Sequence, residues 1–199
     1  MEKQFNEQES LRVIQDMINK SKANLGKSSY FYLMWGWLVL ISSLTHFILL
    51  LTSFQYPYIM WPAAMIAGAV LSTAKSKKLS KQAKAKTYVE TAIIHLWIGF
   101  SISLFIILLA AVLHKISWPA SSSLIVVLYG LGTYVSGGII KFKPLKTGGI
   151  ISWIIAVISM FLPYEYAMLA IALSIVAAYL VPGYRLRSKE NAQHHVQKA

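Results

Sequence analysis

The feature that most limits what this chain can become is its series of long apolar blocks, separated by short segments rich in lysine or proline. Six blocks can be drawn, at residues 30–51, 58–74, 91–113, 121–140, 147–162 and 166–181. A helix rises about 1.5 Å per residue, so roughly 20 residues cross the ~30 Å hydrocarbon layer of a bilayer. A water-soluble core has no room for so many continuous apolar runs. In lipid, a helix satisfies its own backbone hydrogen bonds, whereas an open strand cannot. The pattern therefore predicts an all-α integral membrane protein of about six transmembrane helices, arranged as three antiparallel hairpins. The fifth and sixth blocks hold about 16 residues each. They leave a re-entrant hairpin open as the alternative to two crossings, with snorkelling basic side chains and local thinning as the means of crossing.

Charge sets the expected orientation. Net charge is +12, and only 13% of residues are charged against 56% hydrophobic, whereas a soluble domain carries about 25% charged residues. In a soluble protein such a basic balance would raise nucleic acid as a partner. Here the lysines and arginines fall between the apolar blocks, where the anionic cytoplasmic leaflet accounts for them, so no nucleic acid is expected. With the N-terminus inside, every one of the 19 basic residues except Lys115 lies on the cytoplasmic side. Both termini are thus expected in the cytoplasm. The external turns are short and contain Pro57, Pro119 and Pro163. Aromatic residues such as Tyr30, Trp35, Tyr58 and Trp118 flank the spans as an interfacial belt.

Residues 1–29 form a cytoplasmic segment that carries Glu2, Glu7, Glu9 and Asp16 and no apolar core. A cleavable signal peptide is therefore not expected, and Tyr30 onward acts as an uncleaved first span. Within that segment, Leu11, Ile14, Ile18 and Leu25 fall on one stripe of a helix over residues 6–25, with Asn6 and Glu9 in a capping arrangement. Such an amphipathic helix lies on the inner leaflet, docks on the bundle or binds a partner protein. Residues 183–199 form a basic cytoplasmic tail.

Chemistry-bearing residues are few. The absence of cysteine excludes disulfides, thiolate metal sites and cysteine nucleophiles. No nucleophile elbow, phosphate-binding glycine loop, HExxH or paired intramembrane aspartate occurs, so the chain is not expected to be an enzyme or to hold a cofactor or metal. An ionisable residue inside a membrane is a functional candidate by default. His46 and His95 lie at very different depths, and each is read as an imidazole hydrogen-bonded within the bundle. His46, His114 and Glu165 come from three hairpins without ligand spacing, so no metal site is expected from them. Glu90 has Lys86 one turn before it, an ordinary ion pair.

Two sets of residues carry alternatives. Lys75, Lys77, Lys78, Lys81, Lys84 and Lys86 form a basic inner loop, which holds that segment in the cytoplasm and offers contacts to anionic lipid headgroups or an acidic partner. Gly130, Gly132, Gly137 and Gly138 in the fourth span permit either close helix packing or a break that lines a substrate path.

The stretch Glu9 to Ile18, followed by Tyr32-Leu33-Met34-Trp35-Gly36-Trp37 and a closing Val181-Pro182-Gly183-Tyr184, resembles a group of small bacterial multi-pass membrane proteins without an assigned activity. The resemblance implies a bacterial cytoplasmic membrane and supplies no site residues. Two functions remain open on these grounds. One is a non-catalytic accessory, sensory or regulatory membrane protein that acts through a protein partner or as a homo-oligomer. The other is a small transporter or permease component for an apolar or neutral solute.

Overall fold

The computed structural model describes residues 28–82 and 88–196. The amphipathic helix expected over 6–25 lies outside the described residues, as do Lys84 and Lys86. Among the described residues the chain is helical throughout, without strands. Helix α1 spans Ser28–Leu51. A 3-10 turn at Pro57–Ile59 leads into α2, Met60–Gln82. Then come α3 (Tyr88–Val112), α4 (Trp118–Ile139) and α5 (Lys143–Ser159). A last long helix consists of α6 (Tyr164–Ile175), a π turn (Val176–Leu180) and α7 (Val181–Val196).

Four of these helices are long and apolar enough to cross a membrane: Ser29–Leu51, Tyr88–Val112, Trp118–Ile139 and Tyr164–Ala192. The chain is a helical membrane protein. The two helices that fall short are not the pair expected from the sequence. The sixth block does not stop at Val181 but runs on as a helix to Val196. The second is instead the marginal one: the apolar part of α2 runs only from Met60 to Ala74 before the lysines begin, although the helix itself continues to Gln82. Residues 75–82, read as loop from their charge, are therefore helical. Lysine is a good helix former, and a helix need not end where its apolar stretch ends.

The continuation through Pro182 has a local cause. A proline inside a helix lacks an N–H and its ring presses on the carbonyl four residues earlier, here that of Ala178. The widened turn at Val176–Leu180 sits immediately upstream and absorbs the misfit. Packing then holds the continuation. Pro182, Gly183, Leu186 and Glu190 are buried, a stripe at helical spacing, and a Cβ on Gly183 would lie 3.0 Å from Leu33 of α1.

The ends of α1, α3 and α4 share one device. Ser53, His114 and Lys141 adopt left-handed backbone angles (φ 52°, 54° and 53°). In each, the following N–H reaches back five residues: Phe54 N to Leu49 O, Lys115 N to Ala110 O and Phe142 N to Gly137 O. This is the Schellman closure, usually made with glycine. Because glycine is absent from all three positions, composition does not mark these ends.

The packed centre consists of α1, α4, α5 and the long α6–α7 helix, while α2 packs chiefly on α1, and α3 on α4. Small residues set the closest approaches. A Cβ on Gly149 would lie 2.7 Å from the Gly130 carbonyl oxygen, and one on Gly148 would lie 2.5 Å from that of Ala177. Such contacts let backbones meet where lipid offers no hydrophobic drive for association.

Candidate functional site

Polar atoms inside the bundle mostly bond across helices or back to their own turn. Ser123 of α4 meets Ser159 of α5 at 2.8 Å, and Ser174 of α6 donates to Ser152 of α5 at 2.8 Å. Trp153 Nε1 donates to the Val127 carbonyl at 3.1 Å, and Trp35 Nε1 donates to Ser72 Oγ at 3.1 Å. An indole N–H can only donate, so Trp61 Nε1, 2.9 Å from His46 Nδ1, makes that ring nitrogen the acceptor. The His46 imidazole then carries its proton on Nε2. It also packs edge-on against Trp61 and Tyr164. His95 sits within its own helix, its Nδ1 2.9 Å from the Thr91 carbonyl. Among the described residues no three His, Asp or Glu side chains converge on a common point.

The four glycines of α4 separate by role. A Cβ on Gly130 would lie 2.5 Å from the Trp153 ring, and one on Gly137 would lie 2.8 Å from the Lys146 backbone nitrogen. Both face α5. Gly132 faces α3, with Phe100 3.2 Å and Trp97 3.5 Å from its notional Cβ, while Gly138 has nothing within 4 Å. Apart from Lys115, which follows the far end of α3, the described lysines gather at the end of the bundle that also holds Ser29 and Glu190. Lys75 lies over the Tyr30 ring at 4.9 Å, Lys146 over Tyr134 at 5.7 Å and Lys189 over Phe142 at 5.8 Å. Lys77 and Lys78 are exposed, and Lys81 lies in the last turn of α2.

At the same end, the Ser29 hydroxyl and its backbone N–H (3.3 Å) both donate to the Glu190 carboxylate, and all of these groups are buried. Glu190 thus closes the first turn of α1 from the far end of the chain. A carboxylate there also meets the positive end of the helix dipole. Trp37 Nε1 donates to the Tyr184 hydroxyl at 3.1 Å, a second link between the same two helices.

One internal region differs from the rest. Helices α1 and α4 make no substantial backbone contact with each other. The seam between them is filled by rings from four segments: Tyr32 of α1, Trp97 and Phe100 of α3, Tyr129 of α4 and Tyr179 of the π turn. Tyr179 is central, its ring centroid 5.7 Å from Tyr32, 6.0 Å from Trp97 and 5.6 Å from Tyr129. Phe100 closes the side, 5.0 Å from Trp97 and 5.5 Å from Tyr129. These spacings and their tilted or edge-on angles are those of favourable aromatic pairs. Among the described residues, the hydroxyl of Tyr179 and Oγ of Ser136 are fully buried without a hydrogen-bond partner. The Tyr32 hydroxyl approaches Ser136 without completing a bond.

None of these seam residues stands out in the sequence. Each reads there as an aromatic or small residue in an apolar block, and only the meeting of four segments brings the hydroxyls together. A lone tyrosine in mid-span is a weak signal, since its ring suits an apolar site and its hydroxyl does not.

Fold and site together define a polytopic α-helical membrane protein with a tightly packed, hydroxyl-linked interior. No family model matches the chain, and no curated protein or solved structure is significantly similar to it.

Proposed function

We propose that this is a six-span protein of a bacterial cytoplasmic membrane, with both termini in the cytoplasm, that works by association rather than by catalysis. Its role on this reading is that of an accessory, sensory or regulatory subunit. The observation that carries the reading is the use of polar atoms inside the bundle. The Ser123–Ser159, Ser152–Ser174 and Trp61–His46 pairs tie helices to one another, which favours a scaffold over a solute path. The surfaces are then the working parts: the basic end with Lys75, Lys77, Lys78 and Lys81 toward anionic headgroups, and the N-terminal segment toward a protein partner or a second copy of the chain.

Six spans are supported by the charge distribution and by short helices flanked with basic residues. Helix α5 has 17 residues, enough for about 25 Å of rise, and Lys143 and Lys146 lie in its first turn. Lysine stems at such an end extend toward the headgroups and relieve a shortfall of a few ångström.

The test is purification from native membranes in mild detergent, comparing the full chain with a form lacking residues 1–25, with mass spectrometry of co-purifying protein. A partner lost on truncation is the expected result. A lone protein in both cases, together with solute flux in liposomes, would replace this reading with that of a small permease.

A further inference from the structure

The aromatic seam between α1 and α4 carries a separate inference, independent of the proposed scaffold role. We propose that it is a binding site for an uncharged, lipid-soluble ring bearing carbonyl oxygens, of the quinone class, entering from the bilayer beside α3. Among the described residues, two fully buried side-chain polar atoms lack a partner, Tyr179 OH and Ser136 Oγ, and they stand apart for that reason. Leaving a buried donor unpaired is costly; Tyr179 lies at the centre of the seam, and Ser136 lies beside Tyr32, one of its rings.

The chemistry of the seam selects the ligand. Its walls are Tyr32, Trp97, Phe100 and Tyr129 around Tyr179, surfaces that accept a flat ring. Its polar atoms are hydroxyls and an indole N–H; the Trp97 N–H donates no hydrogen bond among the described residues. A carbonyl oxygen is the natural complement to such donors. No ionised side chain belongs to the cluster, so a charged ligand would be left unpaired in a low-dielectric site.

Access follows from the packing. Trp97 and Phe100 both belong to α3, whose backbone rests chiefly along α4 and which has Ala111 as its one buried residue. Both rings sit over Gly132, where a side chain would press on Phe100. Displacing these two rings opens the seam toward lipid without disturbing the α4–α5 contact. A π turn that presents the central side chain matches the frequent place of such turns at functional sites.

The experiment uses the full chain in lipid nanodiscs and decylubiquinone as probe, followed by quenching of tryptophan fluorescence. Saturable quenching is expected, with apparent affinity weakened about tenfold by Tyr179→Phe and by Ser136→Ala, the loss of roughly one hydrogen bond each. Without probe, both variants should keep or raise the thermal midpoint, because each removes an unpaired buried hydroxyl. Quenching that rises linearly with quinone in the bilayer would show partitioning alone and overturn the proposal. Saturable quenching unchanged in both variants would overturn it as well. Raised midpoints with no saturable binding would assign the two hydroxyls to trapped water instead.

Discussion

At the scale of single residues, the most consequential contact spans nearly the whole sequence. Glu190 accepts from the Ser29 N–H and hydroxyl in a buried setting, so one carboxylate ties the start of the first described helix to the last. Hydrogen bonds to a charged group contribute about 1.5–3 kcal/mol. Glu190→Gln should lower stability by an amount in that range, read as a drop in the thermal midpoint in detergent. Ser29→Ala should act in the same direction, and the double variant should lose less than the two losses combined, because both remove one interaction. Neither residue is conspicuous in the sequence, where Ser29 borders an apolar block and Glu190 lies in a polar tail. Their pairing depends on α7 continuing past Pro182, which the proline-glycine pair gives no reason to expect.

At the scale of elements, small residues and helix ends divide into those under constraint and those free of it. A Cβ on Gly149 meets backbone atoms, the Gly130 carbonyl oxygen and the Tyr134 nitrogen at 2.7 and 2.9 Å, and backbone does not yield as a flexible side chain does. Gly149→Ala should therefore force α4 and α5 apart and cost about 1–3 kcal/mol, the usual range for overpacking. Gly99→Ala on α3 meets nothing within 4 Å and should instead gain about 0.5–1 kcal/mol from helix propensity. Comparing the two midpoints separates packing from propensity. At the end of α1, Ser53 holds a left-handed conformation (φ 52°), which costs a non-glycine residue about 1–2 kcal/mol. Ser53→Gly should raise the midpoint correspondingly. The glycines of the fourth span were legible as a group, but their separate partners were not: helix α5 takes two, α3 takes one and Gly138 has none.

At the scale of the whole molecule, orientation is the property most open to direct test. The chain has no cysteine, so single introduced thiols report without background. Lys115→Cys should react with a membrane-impermeant maleimide on intact cells. Lys77→Cys, Lys143→Cys and Arg187→Cys should react only after permeabilisation. Labelling of Lys143→Cys from outside would contradict six alternating crossings. Protection of Glu165→Cys, in the first turn of α6, from the outside reagent would restore the re-entrant arrangement for the last two helices.

The sequence alone determined the class of the protein, because apolar length, backbone hydrogen bonding and basic flanks act locally and in fixed proportion to the bilayer. It also marked the helical blocks, with errors where one continues through lysines and another through a buried proline. Only the tertiary structure decided which hydroxyls pair, that His46 accepts from Trp61, and that Tyr32, Tyr129, Tyr179 and Ser136 meet in one seam. Those outcomes depend on which helices are neighbours, and adjacency in a bundle is set by side-chain fit across the chain, which no local window of sequence contains.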